Sequence, residues 1–264
     1  MIGFFETHAH LGDPQFDLDR DAVLAHGAAA GVERFIEIAD DPGEWGRAIA
    51  LARAHPKRIR CSLGLHPYHA DRFDDGFVAR LKEALAAAPE AVAIGEIGLD
   101  YAKSTIPADV QRRAFAALAE AGRDWNVPLV VHCRDAFNDM LPMLRERFAA
   151  PPKGRRFWGV IHCFTGTPDE AAACAALGFA LGADGPLTYK KNDALREAFR
   201  RAGPDVTVLE TDSPYLPPQS SRGKRNEPSA IPEIAAKLSE VWSLPIEEVA
   251  RRTNANAAAL FGWP

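Results

Sequence analysis

Ile2-Gly3-Phe4-Phe5-Glu6-Thr7-His8-Ala9-His10 is the stretch from which the rest of the chain can be read. Ile2, Phe4 and Phe5 make a short apolar run of the kind that becomes a buried strand. Residues i and i+2 of a strand share a face, roughly 6.5 Å apart. His8 and His10 therefore project together from the strand's C-terminal end. Two imidazoles aimed at one point suit a divalent metal. An isolated His-x-His reads equally well as a pair of surface or core-edge histidines, so the remainder of the chain decides.

Working outward, the same alternation of apolar run and helical pattern repeats to the C-terminus. Strands are expected at Arg34–Ala39, Ile59–Leu65, Ala91–Gly95, Val127–Val131, Phe157–Ile161, Phe179–Ala183 and Val206–Leu209. Helices are expected over 20–30, 43–55, 75–88, 109–125, 169–177, 193–202, 230–242 and 246–261, with another starting near Asp135, a good N-cap residue, and kinked or restarted at Pro142. In the helix at 109–125, Val110, Ala114, Phe115, Leu118, Ala121 and Trp125 recur close to a 3.6 period. Continuous apolar strands alternating with amphipathic helices mean parallel strands covered on the outside. Eight such units close into a TIM (β/α)8 barrel, with an open doubly wound sheet as the alternative. The 264 residues are close to the roughly 250 typical of such a barrel. No linker, repeat or low-complexity break divides them, so residues 1–264 are expected to be one domain.

Hydrophobic residues make up 47% of the chain and charged residues 25%, as in soluble globular proteins. The net charge of −5, from 31 basic and 36 acidic residues, argues against a protein that coats duplex nucleic acid. A polyanionic substrate would have to be drawn by a local feature such as bound metal. Cys61, Cys133, Cys163 and Cys174 show no C-x-x-C spacing, which points to free thiols in a reducing compartment. With no signal-peptide pattern and no run of 18 apolar residues, the expected location is the cytoplasm, without membrane contact.

Active sites of TIM barrels lie at the C-terminal ends of the strands, and the metal-capable residues fall there. His8 and His10 follow strand one, Glu96 strand four, His132 strand five and His162 strand six. Asp212 follows strand eight. Four histidines and two carboxylates exceed what one catalytic zinc needs. They fit two ions about 3.5–4 Å apart sharing a carboxylate. Glu96 is the natural bridge, with His8, His10 and Asp212 on one ion and His132 and His162 on the other. The nitrogen-rich set suits zinc, iron, cobalt or manganese better than magnesium, though ligand chemistry alone leaves Zn, Mn and Mg open. His66 belongs to the same mouth and could touch substrate. His26 and His55 read as solvent-side residues on helices. Strand alternation should turn Cys133 and Cys163 away from the metals into packing, and Trp125, Trp158 and Trp242 read as core or helix-interface residues.

Taken together these residues resemble the TatD family of metal-dependent hydrolases. The matching motifs are Thr7-His8-Ala9-His10-Leu11, Gly64-Leu65-His66-Pro67, Gly95-Glu96-Ile97-Gly98-Leu99-Asp100-Tyr101 and His132-Cys133-Arg134-Asp135-Ala136. They continue with His162-Cys163-Phe164-Thr165-Gly166, Glu210-Thr211-Asp212-Ser213-Pro214-Tyr215, Arg222-Gly223-Lys224-Arg225-Asn226-Glu227-Pro228 and a closing Asn256 with Leu260-Phe261-Gly262. One departure is visible: Glu6 stands where the family usually has Asp, which bears on the support of the histidine pair. The resemblance implies a two-metal hydrolase of phosphodiester bonds, a deoxyribonuclease acting 3′-to-5′ on single-stranded DNA. Two dications against two carboxylate ligands leave about +2 at the mouth, and metal lowers the pKa of bound water to near neutrality.

On that reading Glu96 and Asp212 are the catalytic carboxylates, Asp212 orienting or deprotonating the attacking water. His66 and Arg222 would contact the scissile phosphate, a guanidinium matching two phosphate oxygens. Asp100, Tyr101 and Asn226 would shape the substrate site. Arg222, Lys224 and Arg225 form a basic patch after strand eight, and Lys190-Lys191 another after strand seven. A monomer is expected. The competing reading is a related barrel hydrolase of an amide or carboxylic ester, such as an aminoacyl-tRNA. Many such relatives bridge their metals with a modified lysine on strand four, where this chain has Glu96. A non-enzymatic metal-bound partner protein would show damage among the six ligand positions, and all six are intact.

Overall fold

A computed structural model describes residues 3–149 and 152–263; Ile2 of the opening run lies outside them. Eight strands, β1 (Phe4–Ala9), β2 (Val32–Ala39), β3 (Ile59–Leu65), β4 (Ala91–Asp100), β5 (Leu129–Arg134), β6 (Gly159–Ile161), β7 (Phe179–Ala183) and β8 (Thr207–Leu209), follow one another in sheet order. Each pairs parallel to the next. Between and after them run α1 (Arg20–Ala29), α2 (Trp45–Ala54), α3 (Phe77–Ala87), α4 (Ala108–Trp125), α5 (Phe137–Arg147), α6 (Pro168–Ala176), α7 (Asp193–Ala202), α8 (Ile231–Trp242) and α9 (Ile246–Phe261). The architecture is the TIM barrel.

Closure uses the segment just past β8. Asp212 N donates to His8 O at 2.9 Å, His10 N to Ser213 O at 2.8 Å and Thr7 Oγ1 to Leu209 O at 3.0 Å. The seam therefore lies where the histidine pair meets Asp212. A smaller apolar cluster takes Phe5, Ile36, Ile38, Ala93, Val130, Val160, Ala180 and Val208 from seven of the strands, together with Ala257, Leu260 and Phe261 of α9. It fills the barrel's inside, and α9 closes the N-terminal end. A larger cluster lies between strands and helices and includes Phe35, Leu63, Ile97, Phe115, Leu118, Phe179 and Leu238.

Several expected boundaries shift, each for a local reason. β4 runs on past Gly95 to Asp100. Leu63 and Leu65 pair with Ile94 and Ile97, and so do Leu129 and Val131 on the other side. The extra residue is a bulge that re-aims side chains, and it sits at Gly95-Glu96. β5 begins at Leu129, not Val127, because Val127 N closes the end of α4 on Gly122 O and Pro128 has no N–H to give. α5 begins at Phe137; Asp135 is in the left-handed region at φ 52°, which Asp tolerates, so it is not the N-cap. The helix continues through Pro142 without restarting, held on both sides by buried Met140 and Leu144.

The bulge also explains Gly64. A Cβ there would stand 2.3 Å from the Gly95 carbonyl carbon and 2.5 Å from Glu96 N, closer than any real contact. Gly64→Ala should therefore cost about 3 kcal/mol or more and displace Glu96. Urea denaturation checks this; a midpoint equal to wild type would rule the close approach out.

Candidate metal centre

Each polar side chain at the mouth is placed by a specific local device. β1 presents His8 and His10 with ring centroids 5.2 Å apart. Below them buried Glu6 accepts from His8 N and from Thr211 N, both at 3.0 Å, through Oε1. The longer acid thus ties the histidine strand to the segment after β8. Burial pushes its carboxyl up to about 8, against the hydrogen bonds from Thr211 and His8. Asp212 itself has φ 54°, a strained conformation of the kind met at functional sites.

Glu96 is the hub. Its Oε2 lies 3.2 Å from His8 Nε2 and 4.0 Å from His10 Nε2. Its Oε1 lies 2.6 Å from His132 Nδ1, 3.5 Å from His66 Nε2 and 3.7 Å from His162 Nε2. The two oxygens thus face two different sets of imidazoles. Asp212 Oδ1 completes the first set, 3.5 Å from His8 Nε2 and 3.3 Å from His10 Nε2. Donor atoms close enough to hold an ion come in three groups among the described residues: His8–His10–Asp212, His66–Glu96–His132 and His8–His162–Glu210.

Burial would raise the Glu96 carboxyl, but the charges of His162, His66 and His8 and the His132 hydrogen bond hold it well below the usual range. Burial likewise opposes charge on His10 and His162. Asp212 raises the first to about 10, and Glu96 with Glu210 raises the second to about 10. His8 moves the other way, lowered by burial and then by its neighbour His162, whose ring stacks on it at 3.5 Å. His8 Nδ1 and Glu210 Oε2 are buried with no hydrogen-bond partner, while His8 Nε2 faces the Glu96 and Asp212 carboxylates at 3.2 and 3.5 Å. Unpaired buried polar atoms cost about 1–3 kcal/mol each. A neutral imidazole with a free lone pair beside two carboxylates is what a bound cation would satisfy, so the donor set fits metal.

Comparison with known proteins agrees with the geometry. A family profile described as "TatD related DNase" matches residues 5–262. The chain belongs to the TatD family. A relative in Bacillus subtilis, named an uncharacterized metal-dependent hydrolase YabD, is 35% identical over 257 residues, covering 97% of this chain and 98% of its own. One in Erwinia billingiae, named 3′-5′ ssDNA/RNA exonuclease TatD, is 34% identical over 265 residues, covering 98% and 99%. The crystal structure of YjjV, a TatD homolog from Escherichia coli, superposes with a TM-score of 0.91 at 28% identity, covering 100% of both chains. As a TatD-family member the protein is a metal-dependent hydrolase of the ester-cleaving kind.

The structure adds neighbours to the residues read from sequence. His66 stands in a metal-capable group with Glu96 and His132, and His162 in another with His8 and Glu210; His162 also stacks on His8 and turns Nδ1 to Glu210 Oε1 at 3.1 Å. Asp100 is fully buried. It accepts from Ala102 N, Lys103 N and Tyr68 Oη and lies 3.1 Å from His132 Nε2. That contact holds the His132 ring in one orientation. Tyr101 Oη donates to Asp139 at 2.7 Å and receives Arg112, which ties it to α4 and α5. Asn226 is buried and donates to Thr211 O and Tyr215 O, both at 2.8 Å; it clasps the loop after β8.

Cys133 is core. Cys163 is only half-buried, at φ 42°, with its N–H on Glu210 and its thiol beside Asp184. It is therefore part of the mouth and not a packing residue. Glu210, Asp184 and Glu37 are buried acids not assigned from sequence; Glu37 accepts from Leu11 N and Gly12 N just past the histidine pair. Arg225 is tied to Asp19 at 2.6 Å and Glu227 at 3.2 Å, so it is spent on structure. His26 is exposed and pairs with Glu227; His55 is half-buried at the end of α2. No helix among the described residues is long and apolar enough to cross a membrane.

Proposed function

We propose that this protein is a two-metal phosphodiesterase that shortens single-stranded DNA from the 3′ end, releasing 5′-mononucleotides. The observation that carries this reading is the split of Glu96, one oxygen toward His8 and His10 and the other toward His132, His66 and His162. A carboxylate with imidazoles on both oxygens is the donor set of a shared-ligand pair: His8, His10 and Asp212 for one ion, His132 with His66 or His162 for the other. Such a pair polarises a phosphoryl oxygen, lowers the pKa of water and stabilises the entering and leaving oxygens. Zinc or manganese suits the nitrogen-rich donors better than magnesium.

Asp212 is more open to the mouth than Glu96, and its Oδ1 is held by His10. It is the carboxylate placed to orient the attacking water and to take its proton. The bond broken is that between phosphorus and the 3′-oxygen of the penultimate nucleotide, and the proton returns to that oxygen. Asp100 keeps His132 in one orientation, and Glu6 keeps His8 and Thr211 in register.

Two exposed tyrosines favour a single strand. Tyr215 stands edge-on to His10 at 5.7 Å and Tyr68 edge-on to His66 at 4.3 Å, one ring on either side of the cage. Unpaired bases stack on such rings; a duplex keeps its bases to itself. Tyr215→Ala should raise KM for a single-stranded oligonucleotide by about 5–150-fold, from roughly 1–3 kcal/mol per stacked base, with Tyr215→Phe close to wild type. The four unpaired cysteines suit a reducing compartment, and we place the activity in the cytoplasm, in a monomer. Metal-replete protein incubated with 5′-labelled single-stranded DNA, and with RNA in parallel, tests the reading. A ladder shrinking from the 3′ end supports it. Intact nucleic acid beside cleaved aminoacyl esters would sink it.

A further inference from the structure

We propose that the cavity between the loops after β7 and β8 is a second phosphate subsite, which grips the nucleic-acid backbone at a nucleotide other than the one being cut. The proposal rests on the nuclease reading above and adds to it a determinant of substrate length. The cavity, about 350 Å³, is lined by Tyr189, Lys190, Lys191, Asn192, Gln219 and Arg222. Three of the six carry positive charge and none carries negative charge. Nearby arginines are neutralised, Arg196 of α7 by Asp193 and Arg225 of the β8 loop by Asp19 and Glu227. Among the described residues no acidic side chain pairs with Lys190, Lys191 or Arg222. An unneutralised cluster in a concavity is an anion site by elementary electrostatics.

The cluster is also built, not merely accumulated. The Arg222 guanidinium lies over the Tyr189 ring, 4.2 Å from its centroid. Stacking occupies the flat face of the guanidinium and leaves its N–H edge for two phosphate oxygens. Tyr189 is fixed in turn, its hydroxyl donating to Pro217 O at 3.1 Å and its carbonyl accepting from Arg196 at 2.7 Å. Gln219 N donates to Thr188 Oγ1 at 2.8 Å, and Lys190 N to Gln219 Oε1 at 3.3 Å. The two loops are thereby clamped to each other before any ligand arrives, so little ordering is left to oppose binding. Loops after strands seven and eight are also where TIM barrels often bind phosphate.

These same loops carry part of the mouth: Asp184 directly follows β7, and Asp212 begins the segment that holds Gln219 and Arg222. Arg222 pairs with neither Glu96 nor Asp212 among the described residues. Its contacts suit a flanking phosphate better than the scissile one. A chain with several phosphates can occupy both the cage and this cavity. A substrate with a single phosphodiester reaches only the cage.

The test compares metal-replete wild type with the Lys190→Ala/Lys191→Ala double variant and with Arg222→Ala. Lys57→Ala, an exposed lysine before β3 on the opposite end of the barrel, is the control. Two readouts are needed: kcat/KM on a thymidylate decamer against a thymidylate dimer, and binding of a phosphorothioate decamer from about 50 to about 300 mM salt. Wild type should favour the decamer by about tenfold or more, one good contact being roughly 1.4 kcal/mol. The subsite variants should shrink that preference to about threefold or less. Their binding should also lose about 0.7 of salt slope per phosphate contact removed, with the control unchanged. Equal preference and equal slope in wild type and subsite variants would overturn the subsite while leaving the nuclease reading intact. Wild-type protein that binds the decamer through these residues and cuts nothing would overturn the nuclease reading and leave the subsite standing.

Discussion

Glu96→Ala is expected to lower turnover by about a thousandfold or more and to leave the chain with at most one of the two metal ions proposed for it. Glu96 is the carboxylate whose two oxygens face both sets of imidazoles, Oε2 toward His8 and His10 and Oε1 toward His132, His66 and His162. Removing it separates the histidine set of β1 from that of β5. A pair of ions that clamps entering and leaving oxygens provides several kcal/mol of transition-state stabilisation. About 4 kcal/mol lost is roughly a thousandfold. Glu96→Gln keeps the shape but only one acceptor oxygen, so it should hold more metal than the alanine variant and still be slow. Metal per chain by elemental analysis and the rate on single-stranded DNA are the two measurements. A Glu96→Ala protein with two ions and the wild-type rate would remove Glu96 from the mechanism.

The barrel was legible because its grammar is repeated: an apolar run, a polar residue at its end, then an amphipathic helix. The meeting of His8 and His10 was legible from the two-residue period of a strand. Glu96 could be named from sequence as the residue between the two histidine sets, but not the β4 bulge that aims it there, which periodicity does not encode. Asp100, Tyr101 and Asn226 show the opposite limit. A motif marks that a side chain matters, yet only the coordinates show that Asp100 turns to His132 and Asn226 to the backbone of the β8 loop. Glu210 lay in plain view, one strand period before Asp212. Its contact with His162 depends on how β6 and β8 stand across β7, a relation no local pattern carries. Asp184, in Gly182-Ala183-Asp184-Gly185, reads as an ordinary turn residue until its burial is seen.

Stripping the metals is expected to lower the melting temperature as well as the activity. With no cation to satisfy them, His8 Nδ1 and Glu210 Oε2 would be buried without partners, and the Glu96 and Asp212 carboxylates would both crowd His8 Nε2, at 3.2 and 3.5 Å. Ions that bind the folded chain and not the unfolded one stabilise it by mass action, about 4 kcal/mol for each site held a thousandfold above its dissociation constant. For a chain of this size about 1 kcal/mol moves the midpoint by roughly 2–4 °C. One such site is therefore worth about 8–16 °C, and two more than one. Calorimetry of replete, chelated and re-metallated protein reads the shift, and adding back zinc, manganese or magnesium singly ranks the ions on the same scale. Two steps of recovery would correspond to the two faces of Glu96, whereas a midpoint indifferent to chelation would mean that the imidazoles around Glu96 are not a metal cage.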